Sequence, residues 1–289
     1  MLDNYLRVLP QYLVPQHALS RLVGYFTRCQ KPWFKDGLIK QFIAHYAVDM
    51  STALEPDPYQ YPSFNAFFTR KLRPDARPIC AGVDSIACPV DGCISQLGKI
   101  DQGRIIQAKG FHYDVQQLLG GSEARAAPFS GGTFATIYLA PKDYHRVHLP
   151  IDATLVEMVY VPGQLFSVNP LTADTVPHLF ARNERVAMLF DTAAGPMAIV
   201  MVGAMLVASI NIAWEGDITP PQSKTIKTWD YKQQPKHMMK GEELGYFELG
   251  STVIVLFGAE RMRWLETLAP EQTVRFGQLM GHQSFSSES

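Results

Sequence analysis

Residues 247–257 read FELGSTVIVLF. The run from Thr252 to Phe257 is apolar and rich in β-branched residues, the composition of a strand buried on both faces. A bare Gly250-Ser251 pair stands at its mouth. Taken alone the pair reads as a turn or bulge, or as a serine hydroxyl placed within reach of the carbonyl of a residue with no side chain. A second polar cluster is APKDYHRVHLP, 140–150, with Asp143, His145, Arg146 and His148 in six positions. It follows the strand-like TFATIYL and ends in Pro150, so an exposed, ordered loop is expected. Two histidines and a carboxylate suit either of two chemistries. One is metal ligation, a weak signal because the H-E-x-x-H helix context is missing; the other is a general base serving a nucleophile elsewhere in the chain. A third stretch, ACPVDGCIS at 87–95, puts Asp91 in a Val-Asp-Gly turn between two expected strands, where an Asp before Gly is ordinarily just a turn residue.

The elements that must carry these residues fall into two parts. Residues 1–80 show helical periodicity: Leu19, Leu22, Val23 and Phe26 share one face of a helix over 19–26, and Leu38, Ile39, Phe42 and Ile43 share one over 36–47. A third helix, SFNAFFTRKL at 63–72, begins at a serine suited to an N-cap. From residue 81 the pattern changes to short apolar runs separated by Gly, Pro, Asn and Asp. Strands are expected at 86–90, 93–97, 133–139, 154–160, 186–190, 197–202, 205–212 and 252–257. The fold class that follows is α+β, with N-terminal amphipathic helices on a β-rich, mainly antiparallel body. A helical region over 1–80 and a β-rich catalytic domain over 81–289 are the expected divisions. The tail QSFSSES, 283–289, is expected to fray.

Composition narrows the function classes. At 47% apolar and 18% charged, the 289-residue chain has enough apolar material for a real core. A formal net charge of −1 gives no whole-protein reason to expect nucleic-acid binding. The first forty residues are different: Arg7, Arg21, Arg28, Lys31, Lys35 and Lys40 face only Asp3 and Asp36, a local excess of +4. The four cysteines form no C-x-x-C pair, and reduced thiols are the expectation. The N-terminus has no basic region followed by an uninterrupted apolar stretch, so no signal peptide is read there. GPMAIVMVGAMLVASINIAW, 195–214, approaches the apolar density of a membrane span. Pro196, Ser209, Asn211 and its wealth of Val and Ile favour buried strands instead.

Together the three polar stretches stop being independent. VDG with Asp91, DYHRVH with His145 and His148, and LGST at 249–252 resemble the motifs of the phosphatidylserine decarboxylases made as self-cleaving proenzymes. FFTRKLRPDARPI (67–79), PGQLFSVNP (162–170), FARNERVAML (180–189) and KGEELGYFELGST (240–252) also look like that family. The similarity runs from about residue 60 to 257, and residues 1–60 match more loosely as a membrane-associated helical region.

The resemblance implies a chemistry. Asp91 would orient His148, His148 would take the Ser251 hydroxyl proton, and Ser251 would attack the Gly250 carbonyl, by the logic of a serine-protease triad turned on the chain's own backbone. Elimination from the resulting ester leaves dehydroalanine, which hydrolyses to a pyruvoyl group with loss of ammonia. The products would be a large chain, 1–250, and a small chain, 251–289, held together as a heterodimer. The pyruvoyl carbonyl, formed from Ser251, would be the cofactor that draws the electron pair released when phosphatidylserine loses CO2. No metal is implied. His145 would serve the acid-base work of decarboxylation, Asp143 would shape the loop, and Phe166, Ser167 and Val168 would line the substrate site.

A lipid substrate also gives the basic N-terminal helices a role. They would lie on an anionic membrane, at about 1 kcal/mol per surface Lys or Arg before screening, making the protein peripheral on the cytoplasmic face of the inner membrane. Three rival readings are a serine hydrolase using Asp91, His148 and Ser251, a metalloenzyme built on Asp143, His145 and His148, and a non-catalytic lipid-binding protein. None of them accounts for the Gly250-Ser251 context.

Overall fold

The computed structural model describes residues 2–108, 110–205, 209–219 and 224–284. Five helices open the chain: α1 (Leu2–Val8), α2 (Pro10–Leu13), α3 (Gln16–Thr27), α4 (Pro32–Tyr46) and α5 (Phe64–Phe68). Pro10 and Pro32 stand at the first positions of α2 and α4, where a missing N–H costs nothing. Ser63 caps α5 as expected, its hydroxyl accepting from Ala66 N at 3.1 Å. The helix stops at Phe68 and does not run to Leu72. Thr69 turns back to Asn65 O, and the chain then extends to bridge Ala53, with Leu54 N donating to Lys71 O. Extended pairing with 52–54 outcompetes the helical propensity of Lys71 and Leu72.

The stripe on α4 packs inward as its spacing implies: Ile39 is buried, and Leu38, Phe42 and Ile43 pack with Phe64, Phe67 and Phe68. On α3 the polarity is reversed. The buried residues are Ser20, Gly24 and Thr27, while Leu22, Tyr25 and Phe26 are exposed. Small residues let α3 lie close to the body, and its large apolar side chains point outward. Leu13 and Trp33 extend this face, at 80% and 79% exposed.

The body is antiparallel. A nine-stranded sheet runs, in spatial order, through the strands at 227–230, 153–161, 185–192, 195–202, 251–257, 133–139, 92–99 and 273–274, with 236–238 also paired to 153–161. The strand Ser251–Phe257 is at its centre, with every residue buried. Its register sets Thr252 against Val202 on one edge and Ser251 against Leu139 on the other. Val253, Val255 and Phe257 enter one core and Ile254 and Leu256 the other, which explains the continuous apolar run.

Within 195–214, Gly195–Val202 is a strand buried from Met197 onward, as expected. The strand expected over 205–212 is realised only at Ile210–Ile212, in a different sheet; residues 206–208 lie outside the described residues. Ser209 and Ile210 are diverted there by hydrogen bonds to Thr219. The strand expected at 86–90 is Ser85–Ala87, ending short of Pro89, which has no N–H to give a ladder. Gln283 belongs to the strand Leu279–Gln283 and pairs with Met262, so the tail is ordered to that point; residues 285–289 lie outside the described residues. Among the described residues no helix is long and apolar enough to cross a membrane.

A four-stranded sheet, ordered 216–217, 210–212, 243–247 and 146–148, sits beside the large one. The chain leaves it at Phe247 and enters the nine-stranded sheet at Ser251. Glu248, Leu249 and Gly250 are therefore the crossing between two sheets.

Candidate active site

Ser251 begins the central strand. Its hydroxyl is buried and without a hydrogen-bond partner. The two residues before it carry unusual backbone angles, φ +89° at Leu249 and +32° at Gly250. Leucine avoids positive φ, and such a residue costs about 1–3 kcal/mol and persists only where its surroundings enforce it. A Cβ added at Gly250 would meet nothing within 4 Å. What favours glycine here is the backbone angle, since the surroundings leave room for a Cβ.

The strand Thr133–Leu139 delivers the polar loop to this point, because Leu139 is the cross-strand partner of Ser251. The loop is ordered, as expected, but Tyr144 and His145 are buried, not exposed. The segment around α5 covers it: Phe68 stacks on His145 with ring centres 4.2 Å apart, and Arg146 Nε donates to Thr69 O at 3.0 Å. Asp143 shapes the turn, its carboxylate accepting from Ala140 N at 2.7 Å. Burial pushes that carboxyl above the ordinary range.

His145 Nε2 is 3.0 Å from Ala140 O. A carbonyl only accepts, so Nε2 carries the proton and Nδ1 presents a lone pair. Nδ1 is buried and unpartnered. Burial, with the nearby Arg70 guanidinium second, pushes His145 down to about 3. His148 lies on the strand Arg146–His148. Its Nδ1 is 2.9 Å from Gly241 O and its Nε2 is 3.0 Å from the Tyr144 hydroxyl. By the same logic Nδ1 donates to the carbonyl and Nε2 accepts from the tyrosine. Burial pushes His148 down to about 4. Both imidazoles are thus neutral bases at neutral pH.

Asp91 lies in the same corner, close behind Pro89, whose carbonyl accepts from His148 N. The expected carboxylate–imidazole hydrogen bond is not made. Arg77 Nε reaches both Asp91 oxygens, at 3.0 and 3.1 Å, with a further bond from Nη2, and Phe276 N donates to Oδ1 at 2.8 Å. The Phe276 ring in turn stacks on His148, with centres 3.8 Å apart and planes 15° apart. The guanidinium takes the carboxylate because it offers a bidentate, charge-assisted pair that a neutral imidazole cannot match.

Sequence reasoning missed Tyr144, Arg77, Arg70 and Phe276. Arg77 and Arg70 lie within FFTRKLRPDARPI, and Tyr144 lies between Asp143 and His145, so position was the available signal. Arg70 is buried; Nη2 donates to Lys142 O at 3.1 Å, while Nε and Nη1 have no partner. Buried polar atoms without partners are rare and concentrate where structure serves chemistry. Of the ten such atoms among the described residues, six belong to Asn65, Arg70, His145, Ser251 and Thr252. Asp143 and His145 both bond Ala140 while His148 bonds Gly241 and Tyr144, and among the described residues no three His, Cys, Asp or Glu are grouped to hold a metal ion.

The segment 164–168 reaches this corner along the neighbouring strand, since Leu165 and Glu184 flank Gly203, next to the Thr252 partner Val202. Phe166 and Val168 are buried. The N-terminal helices hold the segment: Gln11 accepts from Ser167 N at 2.9 Å, Gln16 accepts from Leu165 N at 2.7 Å, and Tyr12 packs edge-on against Phe166 at 4.7 Å.

Comparison with known proteins adds an independent finding. The sequence model of a family described as "Phosphatidylserine decarboxylase" matches residues 64–282, and one described as "PSD" matches residues 6–47. The chain is similar to the phosphatidylserine decarboxylase proenzyme of Azotobacter vinelandii, with 55% identity over 98% of this chain and 100% of the relative. It is 57% identical to that of Pseudomonas putida strain GB-1, over 96% of this chain and 98% of the relative. For the proenzyme of Bordetella petrii the figures are 56% identity over 97% and 98%. The chain belongs to the phosphatidylserine decarboxylase family.

Proposed function

We propose that this protein cuts its own chain between Gly250 and Ser251, turns Ser251 into a pyruvoyl group, and with it decarboxylates phosphatidylserine to phosphatidylethanolamine. The observation that carries the reading is the buried, unpartnered Ser251 hydroxyl at the end of a strained Leu249-Gly250 backbone; the loop and strand that follow its cross-strand partner Leu139 carry two buried histidines. These residues fit the origin of a pyruvoyl group: a serine with a free Oγ, a glycine carbonyl next to it, and a base to take the proton. When formed, that group supplies an electron sink for the pair left by CO2.

In this reading His148 takes the Ser251 proton once the Tyr144 hydroxyl turns off Nε2. Asp91 contributes negative charge to the same corner while Arg77 and Phe276 N hold it in place. His145 exchanges the proton at the substrate carbon during decarboxylation. A second division of labour has its own supporting observation: His145 Nδ1 is already free, whereas His148 Nε2 is engaged. Phe166 and Val168 supply apolar wall for the lipid, and Ser167 lies at the end where the N-terminal helices touch the segment.

Those helices support a peripheral position on an anionic membrane, with phosphatidylserine drawn from it at the cytoplasmic face. The exposed Tyr25, Phe26 and Trp33 line an apolar groove of about 680 Å³ between α3 and α4, together with Arg21 and Arg28, and Leu22 is exposed on the same helix. An apolar face with cations beside it suits the boundary between headgroups and acyl chains. The small chain stays bound after cleavage because Val253, Val255 and Phe257 each contribute about 1.5–3 kcal/mol of burial.

Three outcomes test the reading. His148→Ala is expected to remain one uncut chain, whereas His145→Ala is expected to be cut yet to lose CO2 release from phosphatidylserine vesicles. Uncut His145→Ala beside normally cut His148→Ala would reverse the two roles.

The pH behaviour follows from the depressed values. Between about pH 6.5 and 4 the unfolded chain binds protons that the folded precursor refuses, so stability is lost as pH falls through that window. The base is neutral throughout the physiological range, so the cleavage rate should be level between about pH 6 and 8. A rate that halves near the free-histidine value would contradict the buried, neutral state.

Replacing Leu22, Tyr25 and Trp33 together by Ser, all at exposed positions, is expected to release the protein from anionic vesicles with its thermal midpoint unchanged. Undiminished sedimentation with vesicles would contradict the membrane assignment.

A further inference from the structure

Glu248 lies three residues before Ser251, and both its carboxylate oxygens are held. Arg28 Nη2, at the C-cap of α3, donates to Oε2 at 2.7 Å, and Asn65 Nδ2, on α5, donates to Oε1 at 2.8 Å. The Glu248 side chain is only 4% exposed, and its backbone N–H donates to Ser209 O at 3.0 Å. Leu249 follows at φ +89° and packs against the Phe64, Phe67 and Phe68 cluster. Beyond Gly250 the chain is locked into the central strand. The strained Leu249-Gly250 pair is thus suspended between two fixed points, the sheet on one side and the Glu248 carboxylate on the other. A residue such as leucine persists at positive φ only where its surroundings over-determine it, and these contacts are the surroundings.

We propose that Arg28, Glu248 and Asn65 form a clamp that positions the scissile segment for self-cleavage. Glu248 touches no reacting atom and acts as a positioning residue. The step it serves breaks the Gly250 C–N bond to Ser251 and forms a Gly250 C–Oγ bond. The Oγ proton passes to the base, and a proton is returned to the departing amide nitrogen. Freed from its anchor, the 248–250 segment relaxes at Leu249 and carries the Gly250 carbonyl away from the fixed Ser251 hydroxyl. The clamp also makes α3, the helix that presents Leu22, Tyr25 and Phe26 outward, a direct neighbour of the cut. The proposal rests on the self-cleavage reading.

The test follows the conversion of the full chain into its two fragments after cell-free synthesis, for the wild type, Glu248→Gln, Arg28→Gln and Arg28→Lys. The two neutral variants are expected to cleave at least about tenfold more slowly, as misplaced reacting groups do, with Arg28→Lys close to the wild-type rate. The same changes placed on Ser251→Ala, which cannot be cut, are expected to lower the thermal midpoint by no more than a few degrees, so that every variant is fully folded at the assay temperature. Wild-type cleavage rates in both neutral variants would overturn the clamp. So would slowing that merely tracks a lowered midpoint, or an Arg28→Lys as slow as Arg28→Gln. A wild type that never cuts overturns the self-cleavage reading itself.

Discussion

Residues 252–257 are paired along both edges and Ser251 with Leu139 along one, all seven residues are buried, and this fixes the backbone that carries the Ser251 hydroxyl. Everything chemical in the molecule is brought to that fixed point. The neighbouring strand brings the 140–145 loop with His145, and the small sheet brings His148 and the incoming chain. The chain changes sheets at Glu248–Gly250, so the irregular backbone falls at the peptide bond that the proposed self-cleavage would open. The same constraint would hold the two proposed fragments together, since the segment that begins at Ser251 is the middle of the core.

A dry site has an electrostatic cost, and the molecule distributes it. Asp91, the buried carboxylate of the corner, is matched by Arg77. The histidines avoid the cost by staying neutral, which is also the state in which an imidazole accepts a proton. What is left uncompensated is a set of polar atoms on Asn65, Arg70, His145, Ser251 and Thr252. Each unmade hydrogen bond of this kind costs about 1–3 kcal/mol. Their concentration beside the strained Leu249 is what a site built to change its own covalent structure would display.

Much of this was legible in residue types. The β-branched run after Ser251 announced a strand buried on both faces, and the resemblance of Val-Asp-Gly, Asp-Tyr-His and Leu-Gly-Ser-Thr to the motifs of one family joined the polar groups. Their mutual bonding was not legible. Nothing in the sequence says that Arg77 would outbid His148 for Asp91, or that Tyr144 would occupy His148 Nε2, because both depend on how distant segments meet. What α3 turns inward was not legible either. An apolar stripe marks a surface that avoids water, but the inward side was chosen by the small residues Ser20, Gly24 and Thr27, which allow close packing. The end of α5 likewise depended on a strand-like partner at 52–54 that propensity alone cannot supply.

Arg28 and the Gln11 and Gln16 contacts place the outward-facing helices one hydrogen bond away from both the scissile segment and the 164–168 segment. The proposed lipid contact and the proposed chemistry are therefore built on adjoining parts. All of this stands on one covalent event, and the denaturing intact mass of the purified protein reports it directly. Two chains meeting at Gly250 and Ser251, the smaller lighter by one ammonia than its unmodified sequence, is the expected result. A single chain of 32.3 kDa that stays whole on incubation near neutral pH would contradict it.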